Sequence, residues 1–314
     1  MLPSSTSSLF GDLNVEITPD APLGAMTWYG VGGRADLLVR PADIDSLALL
    51  VKRCHRSGTP LRILGSGANL LVADEGVDGI VVRLDATFFR ETKFRQSADA
   101  QLLRAMAGAD MARTLMDATR RGLEGLSQMA GIPASVGGAV RMNAGGAYGC
   151  IGDSVHSVTC ITRNGEKVTY PAEELRFTYR ATNIPDPVIA AATFNLIPTD
   201  PIGLRQKVKE IFAEKKASQP LGEHSAGCVF KNPIDPAKVR RVSAGKLIDR
   251  AGLKGETIGG ATVSRRHANF IVAEPGATAG DVINLMKLIK QRVFDHAGIE
   301  LKEEIVIWRR GEEP

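Results

Sequence analysis

Two glycine-rich loops hold most of the chemistry that this sequence could perform. A strand-like stretch, Leu61–Leu64, runs into Gly65-Ser66-Gly67-Ala68-Asn69. A glycine turn after a strand lets backbone N–H groups approach a phosphate closely, because no Cβ stands in the way. The second loop is longer: Gly131-Ile132-Pro133-Ala134-Ser135-Val136-Gly137-Gly138-Ala139-Val140, then Met142-Asn143-Ala144-Gly145-Gly146. Each of the six glycines between Gly131 and Gly149 would weaken a helix or strand by about 1 kcal/mol relative to alanine. The segment therefore gives up regular structure for backbone access, or uses its glycines for tight turns and close sheet packing. Two such loops in one chain favour a large phosphate-bearing cofactor. They do not make a Rossmann site, whose glycines open a helix and precede an acidic residue by roughly 20 positions; here the chain returns at once to a strand-like run at 70–73.

These loops need a scaffold, and hydrophobic periodicity outlines one. Strands are expected at 35–39, 61–64, 70–73 and 80–84, with a helix at 44–57. A second unit carries a helix near 111–121, the long glycine segment, and strands near 155–162 and 188–196, ending at Pro198 and Pro201. A third carries a helix at 204–216, the apolar 228–230, a helix at 281–297 and a strand at 304–308. Residues 1–19, rich in Ser and Pro, read as a poorly ordered tail, with the fold starting near Pro22. The expected units are 20–86, 87–203 and 204–314, an α+β arrangement.

The chain has 314 residues, 44% of them hydrophobic, enough for two or three units at roughly 100–200 residues each. Lys plus Arg exceeds Asp plus Glu by only four, too few for a dense nucleic-acid-binding face; Arg265-Arg266-His267 reads as a charged turn. The first ten residues lack the pattern of a signal peptide. Apolar runs break well before the roughly 18 residues of a membrane span. Cys54, Cys150, Cys160 and Cys228 match neither a zinc site nor a disulfide scaffold, so no metal is expected and a reducing cytoplasm is the expected compartment.

Beyond these loops, 27–36, Tyr179-Arg180, 227–233, 244–249 and 267–270 fall into an order and spacing that resembles the motif series of the UDP-N-acetylenolpyruvoylglucosamine reductases. The resemblance runs from Pro22 to Trp308. It implies three α+β domains: a two-part FAD-binding region of the vanillyl-alcohol-oxidase type and a C-terminal substrate-binding domain. FAD would lie against Gly65, Ser66, Gly67 and Asn69 of one loop, and Gly131, Ile132, Pro133, Ser135, Gly137, Gly138 and Asn143 of the other. NADPH would be the hydride donor, and UDP-N-acetylglucosamine enolpyruvate would be reduced to UDP-N-acetylmuramate for peptidoglycan synthesis. The interval from Arg180 to the helix at 204 leaves no room for the tyrosine-bearing loop of one branch, which points to the shorter, second type.

The implied reaction adds hydride to C3 of the enolpyruvyl ether and builds negative charge at C2 beside a carboxylate. The site therefore needs a cation, a group that stabilises the enolate, and an acid. By resemblance Arg180 grips the carboxylate and Glu304 stabilises the enolate. Neighbouring strand residues face opposite sides, so only one of Glu303 and Glu304 should enter the site. Cys228 stands where many members carry serine. A thiol with a reference pKa of about 8.5 is a far stronger acid than an alcohol, so the exchange suits proton donation. Tyr179, Lys215, Lys231 and Asn232 fall at substrate-binding positions. Outside the resemblance, Arg180 reads as a surface arginine, Cys228 as a small core residue and the glutamates as solvated charges. An oxidase on the same cofactor fold and a nonenzymatic nucleotide-binding protein are the competing functions.

Overall fold

The computed structural model describes residues 9–96, 101–235 and 239–313. Its first sheet runs in the order Val15–Pro22, Arg34–Pro41, Val77–Arg83, Leu61–Leu64. The first pair is antiparallel and the other two are parallel. The helix Ile44–Ser57 forms where the sequence dictates. Asp43 accepts from the Ser46 N–H at 2.8 Å, Leu47, Leu50, Val51 and Cys54 recur on one buried face, and Gly58 ends the helix at φ 65°.

The second sheet is antiparallel and centres on the long strand Val188–Pro198, flanked by Val155–Ile161 and Gln101–Met106, with Lys167–Pro171 and Thr92–Gln96 outside them. Ala190, Ala191 and Ala192 in its centre are almost fully buried. The short helix Val136–Arg141, inside the glycine-rich segment, contributes Val136, Ala139 and Val140 to the same core. The remaining unit packs the helices Ala244–Arg250 and Ala279–Ala297 around the small sheet Thr257–Ile258, Ala261–Val263 and Ile271–Ala273.

Several expectations need correction. Val15–Pro22 is a strand of the first sheet and Phe10 is buried, so the tail reading fails for these residues; 1–8 lie outside the described residues. Pro19 and Pro22 stand on the edge strand of that sheet, where a missing N–H is tolerated. The helix expected at 204–216 spans Pro201–Ser218 and buries Leu204, Val208 and Ile211 in the core of the second sheet. By packing, then, it joins the middle unit and not the one expected from 204 onward. Glu304 precedes the final strand, Val306–Trp308, which leaves its own unit to pair in parallel with Leu70–Val72 of the first. No helix among the described residues is long and apolar enough to cross a membrane, and no cluster of metal-binding side chains occurs among them.

A second tie crosses between the same two parts. The Asp74 carboxylate accepts from the N–H groups of Ala279 and Gly280 at 2.9 and 2.8 Å, at the positive end of a 19-residue helix. Asp74→Ala is expected to lower unfolding stability by about 1–2 kcal/mol in urea titrations, and Asp74→Asn by less. An unchanged midpoint in the alanine variant would show that this contact carries no stabilisation.

Candidate active site

The two glycine loops meet along a cleft of about 380 Å³. Gly65, Ser66, Ser135, Gly137 and Gly138 line it, as do Arg83, Arg90, Arg113 and Arg141 with Asp85 and Asp110. A Cβ on Gly65 would stand 2.7 Å from Ser135 Oγ, and one on Gly137 would stand 2.8 Å from Ala107 Cβ. Both glycines therefore allow a close approach that alanine would block, and the same lack of side chain leaves backbone facing the cleft. Four arginines against two aspartates along this lining leave it net basic, and with the open glycine backbone they fit a phosphate-bearing dinucleotide such as FAD.

Gly67, Asn69, Gly131, Ile132, Pro133 and Asn143 do not line this cleft. The Gly67 carbonyl accepts from Trp28 N–H at 3.1 Å. Asn69 donates through Nδ2 to the Glu304 carbonyl at 3.3 Å, and its own carbonyl accepts from Val306 N–H at 3.0 Å. Asn143 is buried at φ 41°. Its Oδ1 accepts from Gly152 N–H at 3.1 Å and its Nδ2 donates to the Thr178 carbonyl at 2.8 Å, which fixes the turn that carries Arg180. Gly131, Ile132 and Pro133 form a half-buried bend beside the cleft, and Lys215 lies under it. The Lys215 ammonium donates to the carbonyls of Gln128 and Ala130 at 3.2 and 2.6 Å. Burial, then the charge of Arg180, pulls its pKa down to about 8. The structure thus places Lys215 as a prop beneath the loop.

Three distant stretches converge beside this loop. Phe177–Thr178 pairs with Ala181–Thr182, leaving Tyr179 and Arg180 at the turn. Arg180 takes φ 56°, a left-handed conformation that is uncommon for a residue with a side chain and that marks sites where the surroundings hold the backbone under strain. Its Nε donates to Glu304 Oε1 and its Nη2 to the Gly145 carbonyl at 2.9 Å. Glu304 N–H donates to the Val229 carbonyl at 2.7 Å, and Lys231 N–H to the Lys302 carbonyl at 2.8 Å. These bonds hold the strap that bears Cys228 against the glutamate. Asn232 N–H donates to the Tyr179 hydroxyl at 3.1 Å, and Asn232 Oδ1 accepts from Ala244 N–H at 2.9 Å. Glu303 faces the other way and pairs with Lys290 at 2.9 Å.

The electrostatics follow from burial. The Glu304 carboxyl is raised above the usual range because it is withdrawn from water, with the Arg180 charge opposing the shift. Cys228 is pushed up to about 12 by burial and by the Glu304 charge, against Arg180 and Asn269. At neutral pH it is a thiol that holds its proton. Lys231 adds a positive charge near Glu304. Two neighbours had no readable signal: Arg241, whose guanidinium lies 4.1 Å from the Tyr179 ring centroid, and Arg141, which holds the carbonyls of Ile184 and Asp186. Asn269 falls within a noticed motif, but its type alone does not reveal its partners.

Comparison with known proteins bears on both halves of this arrangement. Residues 35–170 match a family described as FAD binding domain. Residues 219–308 match one described as UDP-N-acetylenolpyruvoylglucosamine reductase, C-terminal domain. The UDP-N-acetylenolpyruvoylglucosamine reductase of Desulfosudis oleivorans is 40% identical over 299 residues, covering 92% of this chain and 93% of that one. That of Moorella thermoacetica is 38% identical and covers 95% of each. The crystal structure of UDP-N-acetylenolpyruvylglucosamine reductase from Thermus caldophilus aligns with a TM-score of 0.77 at 35% identity, over 95% of this chain and all of that one. With relatives matched nearly end to end, and both the cofactor-binding and the C-terminal parts accounted for, the chain belongs to the UDP-N-acetylenolpyruvoylglucosamine reductase family.

Proposed function

We propose that this protein reduces UDP-N-acetylglucosamine enolpyruvate to UDP-N-acetylmuramate with NADPH, as an FAD-dependent oxidoreductase of the cytoplasm. The product feeds peptidoglycan synthesis, on which cell shape and division depend. The observation that carries the reading is the meeting of Arg180, Glu304 and the Cys228 strap in one hydrogen-bonded unit beside the glycine loop.

When bound in the cleft, FAD supplies the two-electron relay between NADPH and the enolpyruvyl double bond. The residues of the chain provide the rest. Arg180 is held by Glu304 through Nε and by the Gly145 carbonyl through one Nη2 hydrogen. Its outer edge, Nη1 and the second Nη2 hydrogen, supplies two parallel donors for the substrate carboxylate. That grip stabilises the electron pair that hydride addition at C3 leaves at C2. Glu304 pairs with Arg180 in the free protein; enclosed with the anionic substrate, its carboxyl takes up a proton and donates a hydrogen bond to the enolate oxygen. Cys228 completes the reduction: its S–H bond breaks, the proton forms the new C–H bond at C2, and the resulting thiolate takes a proton back from solvent. Tyr179, Asn232 and Lys231 frame the space around the substrate.

The direct test follows the flavin absorbance. NADPH should bleach it and the enolpyruvyl substrate should restore it; a flavin that stays bleached would refute the assignment. Arg180→Lys should slow reoxidation by this substrate more than reduction by NADPH, because a point-charge ammonium cannot form the bidentate grip, and equal losses in stopped-flow traces would remove the role. Glu304→Gln should also slow reoxidation selectively, whereas Glu303→Gln should leave both halves intact. For Cys228, alanine should slow single-turnover reoxidation by a factor of about 10² or more, with FAD binding and NADPH reduction unchanged, and serine should restore much of it. If both variants instead lose only about 1–2 kcal/mol of stability, Cys228 is a packing residue.

A further inference from the structure

The strap that carries Cys228 is not a strand, yet the backbone just after the cysteine is gripped from two sides. On one side Val229 and Lys231 bond to Glu304 and Lys302. On the other stands Asn269, only 3% exposed. Its Oδ1 accepts from Phe230 N–H at 3.0 Å, and its Nδ2 donates to the Phe230 carbonyl at 2.8 Å. Its own carbonyl accepts from Val229 N–H at 2.8 Å. One asparagine thus supplies three of the bonds that a neighbouring strand would make, two of them from its side chain. Just upstream, Gly227 sits at φ 77° with open space where a Cβ would stand.

We propose that Asn269 is a positioning residue for the reduction, fixing the backbone of Val229 and Phe230 so that Cys228 Sγ reaches C2 of the enolpyruvyl ether. The inference rests on the reading of Cys228 as the proton donor. A side-chain amide suits the task because it offers one donor and one acceptor in the plane of a peptide group, and it carries no charge into a buried site. The three bonds above go to backbone, and the same side chain also reaches the Cys228 thiol, so Asn269 acts on the cysteine through the strap and directly.

Asn269→Asp tests this without changing shape. Protonated, aspartic acid keeps one acceptor for Phe230 N–H and one donor for the Phe230 carbonyl; ionised, it sets an oxygen against that carbonyl. Reoxidation by the enolpyruvyl substrate should be near wild type at low pH and fall about tenfold or more as the acid ionises, while reduction by NADPH keeps its wild-type pH profile. The charged or titratable neighbours are His267, whose Nδ1 accepts from Asn269 N–H at 3.3 Å, Lys254 beyond it, and Cys228, Glu304 and Arg180 across the strap. All are present in the wild type, which is the reference at each pH. The rate of Cys228 alkylation by iodoacetamide, read by peptide mass, should change over the same pH range in the variant alone. Asn269→Gln, which keeps the amide but displaces it, should slow reoxidation equally at every pH, with thermal melts confirming that each variant is folded.

The inference is overturned if Asn269→Asp follows the wild type at all pH values, or if both half-reactions fall together. It is overturned equally if the pH-dependent loss persists in full in a Cys228→Ala background, because Asn269 would then act elsewhere. Wild-type reoxidation by Cys228→Ala alone would instead remove the proton-donor reading, and this inference with it. That outcome is distinct from a slow Cys228→Ala accompanied by a normal Asn269→Asp, which would refute the role of Asn269 only.

Discussion

Arg180 and Glu304 lie 124 positions apart in the chain, and their ion pair is largely withdrawn from water, at 19% and 10% side-chain exposure. Taking two such charges out of water costs several kcal/mol each, and their attraction recovers this only when geometry and further hydrogen bonds are favourable. The surrounding fold meets that condition. Gly145 offers its carbonyl to the guanidinium, Asn143 pins the turn that bears it, and Asn69 holds the carbonyl of Glu304. A buried pair is weak evidence for stability, and here it stands among the groups to which the proposed reduction assigns a role. The left-handed backbone of Arg180 agrees with this, since strain of that kind persists only where the surroundings enforce it.

The same constraint explains why the third unit cannot be a free-standing lid. Glu304 is fixed from below by the strand that follows it, paired with Leu70–Val72, and from the side by Val229. The long helix that precedes it starts on the Asp74 carboxylate. The wall that carries the Gly65 loop and the segment that carries Glu304 are therefore joined by main-chain and capping hydrogen bonds, and the distance between them is set by backbone geometry.

Local signals were legible in the sequence and long-range ones were not. The helix Ile44–Ser57 could be read from its cap, its apolar spacing and its terminal glycine because all three act within a few residues. The strand Val15–Pro22 could not, because only its partner at Arg34–Pro41 makes an extended, proline-bearing segment a strand. Within the site, the resemblance singled out Glu304, while the alternation of extended backbone said only that one of the two glutamates should face inward; the structure pairs Glu304 with Arg180 and Glu303 with Lys290. Asn69 and Asn143 show the limit. The motifs pointed to both, but a residue type does not say which way an amide faces, and their side chains hold backbone. Arg241 against Tyr179 depends on a fold that no local pattern encodes.

The parallel pairing of Leu70–Val72 with Val306–Trp308 also bears on how the molecule is made. During synthesis, Asn69 must wait for Glu304, 235 positions later, and until then the Leu70–Val72 edge has no partner on that side. An open strand edge invites pairing with other chains, and a contact of such sequence separation forms late because so much loop entropy is lost in closing it. The chain therefore passes through a stage in which both cofactor-binding sheets can be complete while the strand that delivers the acid is still missing. Placement of Glu304 beside Arg180 and protection of that edge arrive together, in one closing event.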